Sequence, residues 1–242
     1  MDRNKKKIAL IVVWIVILGA LIATITNMDK IVPKKDDNPP ATVLNTAEVS
    51  KEWPSIIAHS TGGARGAANA PYTMVEFGDF ECPMCGKMCP VVENFLKKNS
   101  KYVNLYFVHR IWSFHPYAIP AAQATEYAAE KGKFWQMYHL LYTNQDNLEP
   151  GFYGTYGKKI GLDGDDLIKK IESNSYKKKV VDTSAFAESI GIKSTPVVII
   201  RDNKTGKVVY APSHDEINNL FANPPWASSG GVNNAPNSPK GN

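Results

Sequence analysis

The chain has 242 residues, a formal net charge of +5 and three cysteines. This length accommodates one sizeable domain together with additional segments. Three cysteines are too few for a disulfide-stapled scaffold, whereas a reactive pair plus one spare thiol suits a redox enzyme. The modest positive charge is spread along the chain, and its lysine clusters are typical of solvated helix faces rather than of a surface that binds nucleic acid.

The N-terminal segment has the pattern of a membrane anchor. Residues 1–7 form a basic tail that contains Arg3 and three lysines, and residues 8–26 carry no charged side chain. A helix of this length spans roughly 30 Å, which is enough to cross the hydrocarbon core of a bilayer. We therefore predict one transmembrane helix over residues 8–27, with a cytoplasmic N-terminus and the remaining chain outside the cytoplasm.

A cleaved signal peptide is the alternative interpretation of this segment. The apolar part of a signal peptide is usually ~7–15 residues long and ends at a small-x-small site. The run here is longer, and residues 22–26 offer no clear cleavage site. Both interpretations place the cysteines outside the reducing cytosol, where a disulfide persists.

Residues 28–65 are predicted to be a tether and lead-in. The stretch over 33–40 is polar and rich in proline, which is typical of an extended spacer. A short strand is predicted over 55–58, and the glycine-rich residues 62–66 are predicted to form a flexible loop. The folded domain is therefore expected to begin at about residue 66.

A Cys-x-x-Cys pair lies where a strand gives way to a helix. Residues 74–77 are mostly apolar and precede a glycine, which indicates a short strand. Pro83 suits the first turn of a helix, because its missing N–H would have no intrahelical partner. This places Cys82 at the helix N-terminus, where unpaired N–H groups and the helix dipole lower the pKa of a thiol. Cys82 is therefore predicted to be the exposed nucleophile, and Cys85 its more buried partner.

The cysteine spacing is also similar to parts of two kinds of metal site. Cys-x-x-Cys is half of a zinc site, and with Cys89 the spacing resembles part of an iron–sulfur run. Neither pattern is completed, because the sequence holds no second Cys-x-x-Cys and no His-x-x-x-His. We predict no metal and no other cofactor, and we interpret Cys89 as a buried structural thiol. The five histidines lack ligand spacing and are interpreted as surface or packed residues: His59, His109, His115, His139 and His214.

Beyond the cysteines, the chain alternates between strand and helix patterns. A strand over 102–108, joined by a helix to the strand before Cys82, predicts a βαβ unit in a sheet with parallel strands. The following block of roughly sixty residues is too long for an ordinary loop and carries helical apolar spacing. Helices are predicted over 118–131, 134–142, 167–171, 181–190 and 216–221, a hairpin of strands over 197–201 and 207–210, and a disordered tail over 223–242.

These motifs resemble the thioredoxin fold, and specifically the DsbA-like thiol–disulfide oxidoreductases. That family carries Cys-Pro-x-Cys after a Glu-Phe-x-x-Phe strand end, as residues 76–85 do here, and Pro90 matches a proline of its active-site helix. The run from 115 to 145 is similar to the helical insertion of the family, and Thr195-Pro196 resembles its cis-proline loop. The resemblance covers about residues 66–221.

The resemblance implies an α/β, thioredoxin-like fold over residues 66–222, with a helical insertion at about 114–180. It implies that Glu76 is a buried acid beneath the disulfide and takes part in proton transfer at Cys85. Four residues beside the cysteines are implied to bind substrate: Pro83, Met84, Thr195 and Pro196.

The expected function is that of an extracytoplasmic, membrane-anchored oxidoreductase, which oxidises cysteine pairs in exported proteins through a Cys82–Cys85 disulfide. Its expected partners are these reduced proteins and a quinone-linked membrane protein that reoxidises the pair. The best-known DsbA proteins have histidine where this chain has Met84, so a milder oxidant is expected. A reductase or isomerase of the same fold, a tethered metal-binding module that uses the cysteines, and an interaction protein with an inactive fold are the alternatives.

Overall fold

The structure is a computed structural model that describes residues 46–227. These residues are built around a five-stranded sheet. The strands are β1 (Thr61–Arg65), β2 (Tyr72–Gly78), β3 (Val103–His109), β4 (Val197–Asp202) and β5 (Val208–Ala211). Their order across the sheet is β1-β3-β2-β4-β5. β2 and β3 run parallel, and the other neighbouring pairs are antiparallel.

Helices cover the sheet and form the insertion between β3 and β4. The described part of the chain contains α1 (Thr46–Ala58), α2 (Pro83–Asn99), α3 (Ala118–Glu130), α4 (Phe134–Thr143), a 3₁₀ turn (Gln145–Asn147), α5 (Pro150–Lys159), α6 (Gly164–Glu172), α7 (Lys177–Ser189) and α8 (His214–Ala222). α2 connects the parallel strands β2 and β3, so the predicted βαβ unit is confirmed.

Side chains alternate between the two faces of the sheet along each strand, and helices pack on both faces, so both are buried. On one face, Met74 and Ile200 pack with Met88 and Val92 of α2 and with Leu220 of α8. On the opposite face, α1 and α7 contribute buried side chains to a second cluster. β2 lies at the centre and is buried along almost its whole length.

The helical insertion has an apolar core that continues to the cysteines. Phe134 and Leu141 of α4 and Tyr153 of α5 belong to the same buried cluster as Cys85 and Cys89 of α2. α2 therefore lies between the sheet and the insertion, with one side packed on each. The predicted α/β arrangement with a helical insertion is confirmed.

The predicted membrane anchor lies outside the described residues. So do the basic tail over 1–7 and the spacer up to residue 45. Within residues 46–227, no helix is long and apolar enough to cross a bilayer.

The prediction for residues 46–58 is wrong. They form α1 in place of the expected spacer and of the strand over 55–58. Val49, Trp53 and Ile56 recur at helical spacing, and all three are buried in the cluster beneath the sheet. Pro54 lies inside this helix and interrupts the helical pattern in the sequence.

The glycine-rich lead-in is the edge strand β1, so its prediction as a flexible loop is also wrong. It pairs antiparallel with β3. Gly62 has a φ of +80°, and a Cβ there would lie 2.1 Å from the Phe134 ring. A residue with a side chain would therefore collide with the insertion where the strand passes α4.

The ordered chain also extends past the predicted start of the tail at residue 223. Trp226 is buried, and its ring lies 4.9 Å from Tyr72 and 5.8 Å from Phe95 and Tyr102. The prediction of disorder is thus wrong for residues 223–227, and the tail from 228 onward lies outside the described residues.

A buried carboxylate joins the insertion to the sheet. Glu126 of α3 is buried, and its Oε1 accepts a hydrogen bond from Thr61 at 2.7 Å and lies 3.1 Å from Nε2 of His109. Its Oε2 accepts a hydrogen bond from Lys179 of α7. Burial alone raises the pKa of Glu126, but His109 and the other partners hold it at about 2.

We expect Glu126→Ala to lower the free energy of unfolding by about 3–5 kcal/mol at pH 7, because it leaves His109 and Lys179 without their buried partner. Urea unfolding measures this loss. Since the pKa of Glu126 is lower in the folded chain than in the unfolded chain, its contribution is complete above about pH 5 and is lost as the pH falls towards 2. The exposed Glu130→Ala on the same helix is the matched control, and equal losses for the two variants would contradict the assignment.

Candidate active site

The junction between β2 and α2 places the first cysteine at the start of a helix. Cys82 is the N-cap of α2, with φ −69° and ψ 118°, and Pro83 is the first helical residue. The N–H groups of Met84 and Cys85 point at the Cys82 sulfur. The predicted position of the pair at a strand–helix junction is confirmed.

Cys82 is less exposed than expected. The residue is only 8% exposed, so its predicted exposure is wrong, whereas its role as the nucleophile stays a prediction. Its Sγ lies 3.6 Å from the carbonyl oxygen of Thr195, on the loop that leads into β4. Cys85 is fully buried one turn further along α2, as predicted. Both thiols are free in the structure.

The two thiols differ in acidity. A hydrogen bond with Cys85 lowers the pKa of Cys82 to about 6, against the opposing effect of burial, and Thr195 and the helix N–H groups add to the lowering. Burial raises the pKa of Cys85 well above its ordinary value, and the hydrogen bond with Cys82 adds to that rise. At neutral pH, Cys82 is therefore the thiolate and Cys85 the thiol.

Glu76 lies in the middle of β2 and is fully buried. Its Oε2 accepts a hydrogen bond from the Tyr138 hydroxyl of α4 at 2.8 Å, and its Oε1 has no partner among the described residues. Burial raises the pKa of Glu76 to about 7, although Tyr138 and the charge of Arg65 oppose that rise. Burial raises the pKa of Cys85 most, and the charge of Glu76 adds to that rise, so this acid acts on the deeper cysteine of the pair.

The loop before β4 contains a cis Thr195-Pro196 peptide bond, which agrees with the resemblance to a cis-proline loop. Nε1 of Trp112 donates a hydrogen bond to Oγ1 of Thr195 at 2.8 Å. The guanidinium carbon of Arg110 lies 4.3 Å from the centre of the Trp112 ring, and its Nε donates to the carbonyl of Ile192. The Thr195 carbonyl is thereby held against the Cys82 sulfur.

Asp79 organises the turn between β2 and α2. It is almost fully buried, and its Oδ2 accepts a hydrogen bond from the Trp112 N–H and pairs with Nδ1 of His115, both at 2.9 Å. Its Oδ1 accepts the N–H of Glu81 at 2.9 Å. No pattern in the sequence indicates this role of Asp79, and the histidine spacing predicts only a packed or surface position for His115.

Gln145 is a further residue whose role in the site was not predicted. From the 3₁₀ turn of the insertion, its Nε2 donates to the carbonyls of Phe80 and Cys82 at 2.8 and 2.9 Å. A Cβ on Gly86 would lie 1.9 Å from Oε1 of Gln145. The active-site helix therefore needs glycine at this position so that the insertion can hold the cysteine loop.

The predicted substrate-binding residues lie around the sulfur. Thr195 contacts Cys82 directly, and Pro196 is buried behind it. Pro83 and Met84 are exposed on the first turn of α2, with Met84 39% exposed. These placements agree with a surface for substrate beside Cys82, and the roles themselves stay predictions.

The strand–helix junction, the asymmetric cysteine pair and the proline loop define a site for thiol–disulfide exchange on a thioredoxin-like fold. A family model described as "Thioredoxin" matches residues 59–217, which is more than half of the chain. The chain therefore belongs to this family, and the cysteine pair lies inside the matched range.

Solved structures share the fold. Oxidised BdbD from Bacillus subtilis is 23% identical, with a TM-score of 0.58 over 69% of this chain and 92% of that one. Pseudomonas aeruginosa DsbA2 is 24% identical, with a TM-score of 0.56 over 71% and 97%. Proteus mirabilis ScsC in a transitional conformation is 17% identical, with a TM-score of 0.56 over 92% and 97%. The DsbA-like resemblance is thus confirmed for the fold.

Curated relatives match one part of longer proteins. A Na(+)/H(+) antiporter NhaA 3 from Salinispora tropica is 34% identical over 143 residues, which are 58% of this chain and 22% of that protein. A Na(+)/H(+) antiporter NhaA from Herminiimonas arsenicoxydans is 29% identical over 140 residues, again 58% and 22%. The chain therefore spans about a fifth of the length of these relatives.

The rate at which iodoacetamide alkylates Cys82 should rise through a midpoint at about pH 6. Cys85→Ala removes the hydrogen bond that contributes most to this lowered pKa, so the midpoint should move up towards the ordinary thiol value of about 8.5. Cys89→Ser, one turn further on, is the control that leaves the midpoint in place. An unchanged midpoint in Cys85→Ala would refute the assigned cause.

Gln145→Ala should destabilise the protein by about 1–3 kcal/mol, because the carbonyls of Phe80 and Cys82 lose a hydrogen-bond donor in a poorly solvated site. It should also speed proteolysis of the loop between β2 and α2. Gly86→Ala should produce the same changes by pushing the Gln145 side chain away. Gln136→Ala, on the exposed side of α4, is the control. If it destabilised the protein as much as Gln145→Ala, the two hydrogen bonds of Gln145 would have no special role.

Proposed function

We propose that this chain is a membrane-anchored, extracytoplasmic thiol–disulfide oxidoreductase that oxidises cysteine pairs in exported proteins. The observation that carries the proposal is the stabilised Cys82 thiolate, whose pKa of about 6 arises from the Cys85 thiol, Thr195 and the start of α2. Stabilising the thiolate favours the reduced pair, and a pair that prefers to be reduced takes electrons from its substrates.

The reaction transfers two electrons from the substrate to the cysteine pair. A substrate thiolate attacks Sγ of Cys82 in the Cys82–Cys85 disulfide, and Cys85 leaves with the electron pair of the broken S–S bond. A second substrate thiolate then attacks the substrate sulfur of the mixed disulfide and expels the Cys82 thiolate. The low pKa of Cys82 makes it a good leaving group in this second step.

Glu76 supplies the proton that the first step needs. Burial raises the pKa of Cys85, so a Cys85 thiolate is strongly disfavoured in its apolar surroundings and takes up a proton as it leaves. The pKa of Glu76 is about 7, so about half of the molecules carry a proton there at neutral pH. When another protein later reoxidises the pair, Glu76 accepts the proton back.

The proposed partners follow from the direction of the reaction. The substrates are reduced exported proteins, and continued turnover requires a membrane protein that passes electrons from the pair to a quinone. The anchor predicted over residues 8–27 supports a place beside such a partner. The relatives named as Na(+)/H(+) antiporters support an association with membranes, but this chain spans 22% of their length and no antiport activity is proposed for it.

A reductase or isomerase is the second candidate, and one observation favours it. The pKa of Cys82, about 6, is closer to the value of about 7 in thioredoxin than to about 3.5 in DsbA. The side chain of Met84, which occupies the position before Cys85, has no polar hydrogen to donate to the thiolate. A pair fed with electrons across the membrane would run the same exchange in reverse.

The reduction potential of the Cys82–Cys85 pair distinguishes these candidates. We expect the full chain with Cys89→Ser, equilibrated in glutathione buffers, to give about −120 to −180 mV, the range of disulfide donors. A value near about −270 mV would replace the oxidase by the reductase.

An activity measurement completes the test. The oxidised chain should restore activity to a reduced, unfolded disulfide-containing enzyme, with one disulfide formed for each pair consumed. Cys82→Ser should abolish this transfer. Should Cys82→Ser retain it, a different site would be responsible.

A further inference from the structure

A second group of side chains with metal-binding chemistry lies on α2, outside the cysteine pair. Cys89 and Glu93 are one helical turn apart on α2, and His139 faces them from α4. The Cys89 thiol, a Glu93 carboxylate oxygen and a His139 ring nitrogen all lie within 4.8 Å of one another. Among the described residues, this is the one group of three such side chains with this spacing.

The spacing of these atoms suits a tetrahedral ion. Nδ1 of His139 lies 3.1 Å from Oε2 of Glu93. In a tetrahedral zinc site with bonds of about 2.0–2.1 Å to nitrogen and oxygen and about 2.3 Å to sulfur, neighbouring ligand atoms are about 3.3–3.6 Å apart. The three ligand atoms therefore lie within about 1.5 Å of the spacing that a tetrahedral zinc ion requires.

The cluster runs from the protein interior to a cavity that an ion can enter. Cys89 is 1% exposed, whereas the side chains of Glu93 and His139 are 25% and 50% exposed. Both of these side chains line a surface cavity of about 700 Å³, together with Trp135 and Arg65. The thiol therefore lies at the inner end of the cluster, and Glu93 and His139 lie at the end that solvent reaches.

Arg65 pairs with one carboxylate oxygen of Glu93 and leaves the other oxygen available to an ion. Arg65 donates to Oε1 of Glu93 at 3.2 Å, which leaves Oε2 facing His139. A Cys89 thiolate and the Glu93 carboxylate together balance the charge of a divalent ion. The Arg65 guanidinium then orients Glu93 from its other oxygen, as outer-shell partners of metal ligands do.

We propose that Cys89, Glu93 and His139 form a zinc-binding site, in which the Cys89 thiolate, Oε2 of Glu93 and Nδ1 of His139 hold Zn²⁺ and water takes the fourth position. The combination of thiolate, imidazole and carboxylate suits this borderline-soft ion. Burial raises the pKa of the Cys89 thiol to about 12, so the thiol is protonated in the free site and its proton passes to the solvent when the metal–sulfur bond forms.

The bound ion has two consequences for the molecule. It joins α2, which carries the cysteine pair, to α4 of the insertion, so the two parts of the domain are cross-linked beside the site of exchange. It also removes Cys89 from thiol chemistry, one turn away from Cys85. Neither consequence depends on the direction in which the Cys82–Cys85 pair transfers electrons.

The simpler account of the cluster is a surface ion pair between His139 and Glu93. Such pairs contribute little, and they need no thiol. Zinc binding that depends on Cys89 as well as on His139 separates the two accounts.

The test uses the full chain in detergent with Cys82→Ser and Cys85→Ser, so that Cys89 is the remaining thiol. Zinc titration against a chromophoric chelator should show one ion per chain. His139→Ala and Glu93→Gln should each weaken binding by more than the about 100-fold that the loss of an outer-shell partner costs. His214→Ala, an unrelated histidine on α8, is the matched control and should leave the affinity unchanged.

Cobalt binding gives an absorption signal that would not arise if these three residues had only a structural role. Co²⁺ should give a thiolate-to-metal charge-transfer band, and Cys89→Ser should remove it. Failure to bind zinc, or zinc affinity that is equal in His139→Ala and in the parent, overturns the proposal. Circular dichroism of each variant shows whether a loss of binding comes from a loss of folding, and the half-exposed His139 makes that variant the most informative.

Discussion

The hydrogen bond between the thiols of Cys82 and Cys85 forms because β2 ends and α2 begins at Cys82, which places the two side chains one helical turn apart. There the helix presents N–H groups to one sulfur, while the second sulfur is one turn deeper in an apolar environment. The same thiol that stabilises the Cys82 thiolate becomes harder to ionise itself. Asp79, Gln145 and the Thr195 loop serve this asymmetry, because they fix the turn, its carbonyls and the oxygen beside the sulfur.

The buried carboxyl of Glu76 is the second constraint on the fold. A buried charge in a central strand destabilises the fold unless it is paired or can take up a proton. Burial raises the pKa of Glu76 to about 7, so this carboxylate can take up a proton near neutral pH. Tyr138 of the insertion provides the partner that the sheet itself does not offer. The insertion therefore supplies the hydrogen-bond partner of this buried acid, in addition to covering one side of α2.

Local patterns were enough to predict the central parts of the fold. The apolar run of β2, the proline after Cys82 and the β-branched residues after Pro196 each indicate an element from a few neighbours. Pro54 interrupts the pattern of α1, and the glycine at position 62 of β1 is required by the Phe134 ring, which is distant in sequence. α5 contains three glycines and has low intrinsic helix propensity, so packing decides its conformation. Asp79, Gln145 and the pairing of Glu93 with His139 depend on contacts between segments far apart in sequence, which periodicity does not report.

The two hydrogen bonds that Gln145 donates constrain how the sequence of this domain can change during evolution. The Gln145 amide holds the carbonyls on either side of the cysteine loop, and Gly86 leaves the space that the amide occupies. An insertion from a relative that lacks this glutamine would remove a donor from both carbonyls, leave the Cys82 carbonyl with only the Gly86 N–H, and leave an empty space over α2. The insertion and the active-site helix are therefore not interchangeable modules, and substitutions at positions 86 and 145 are expected to accumulate together during divergence.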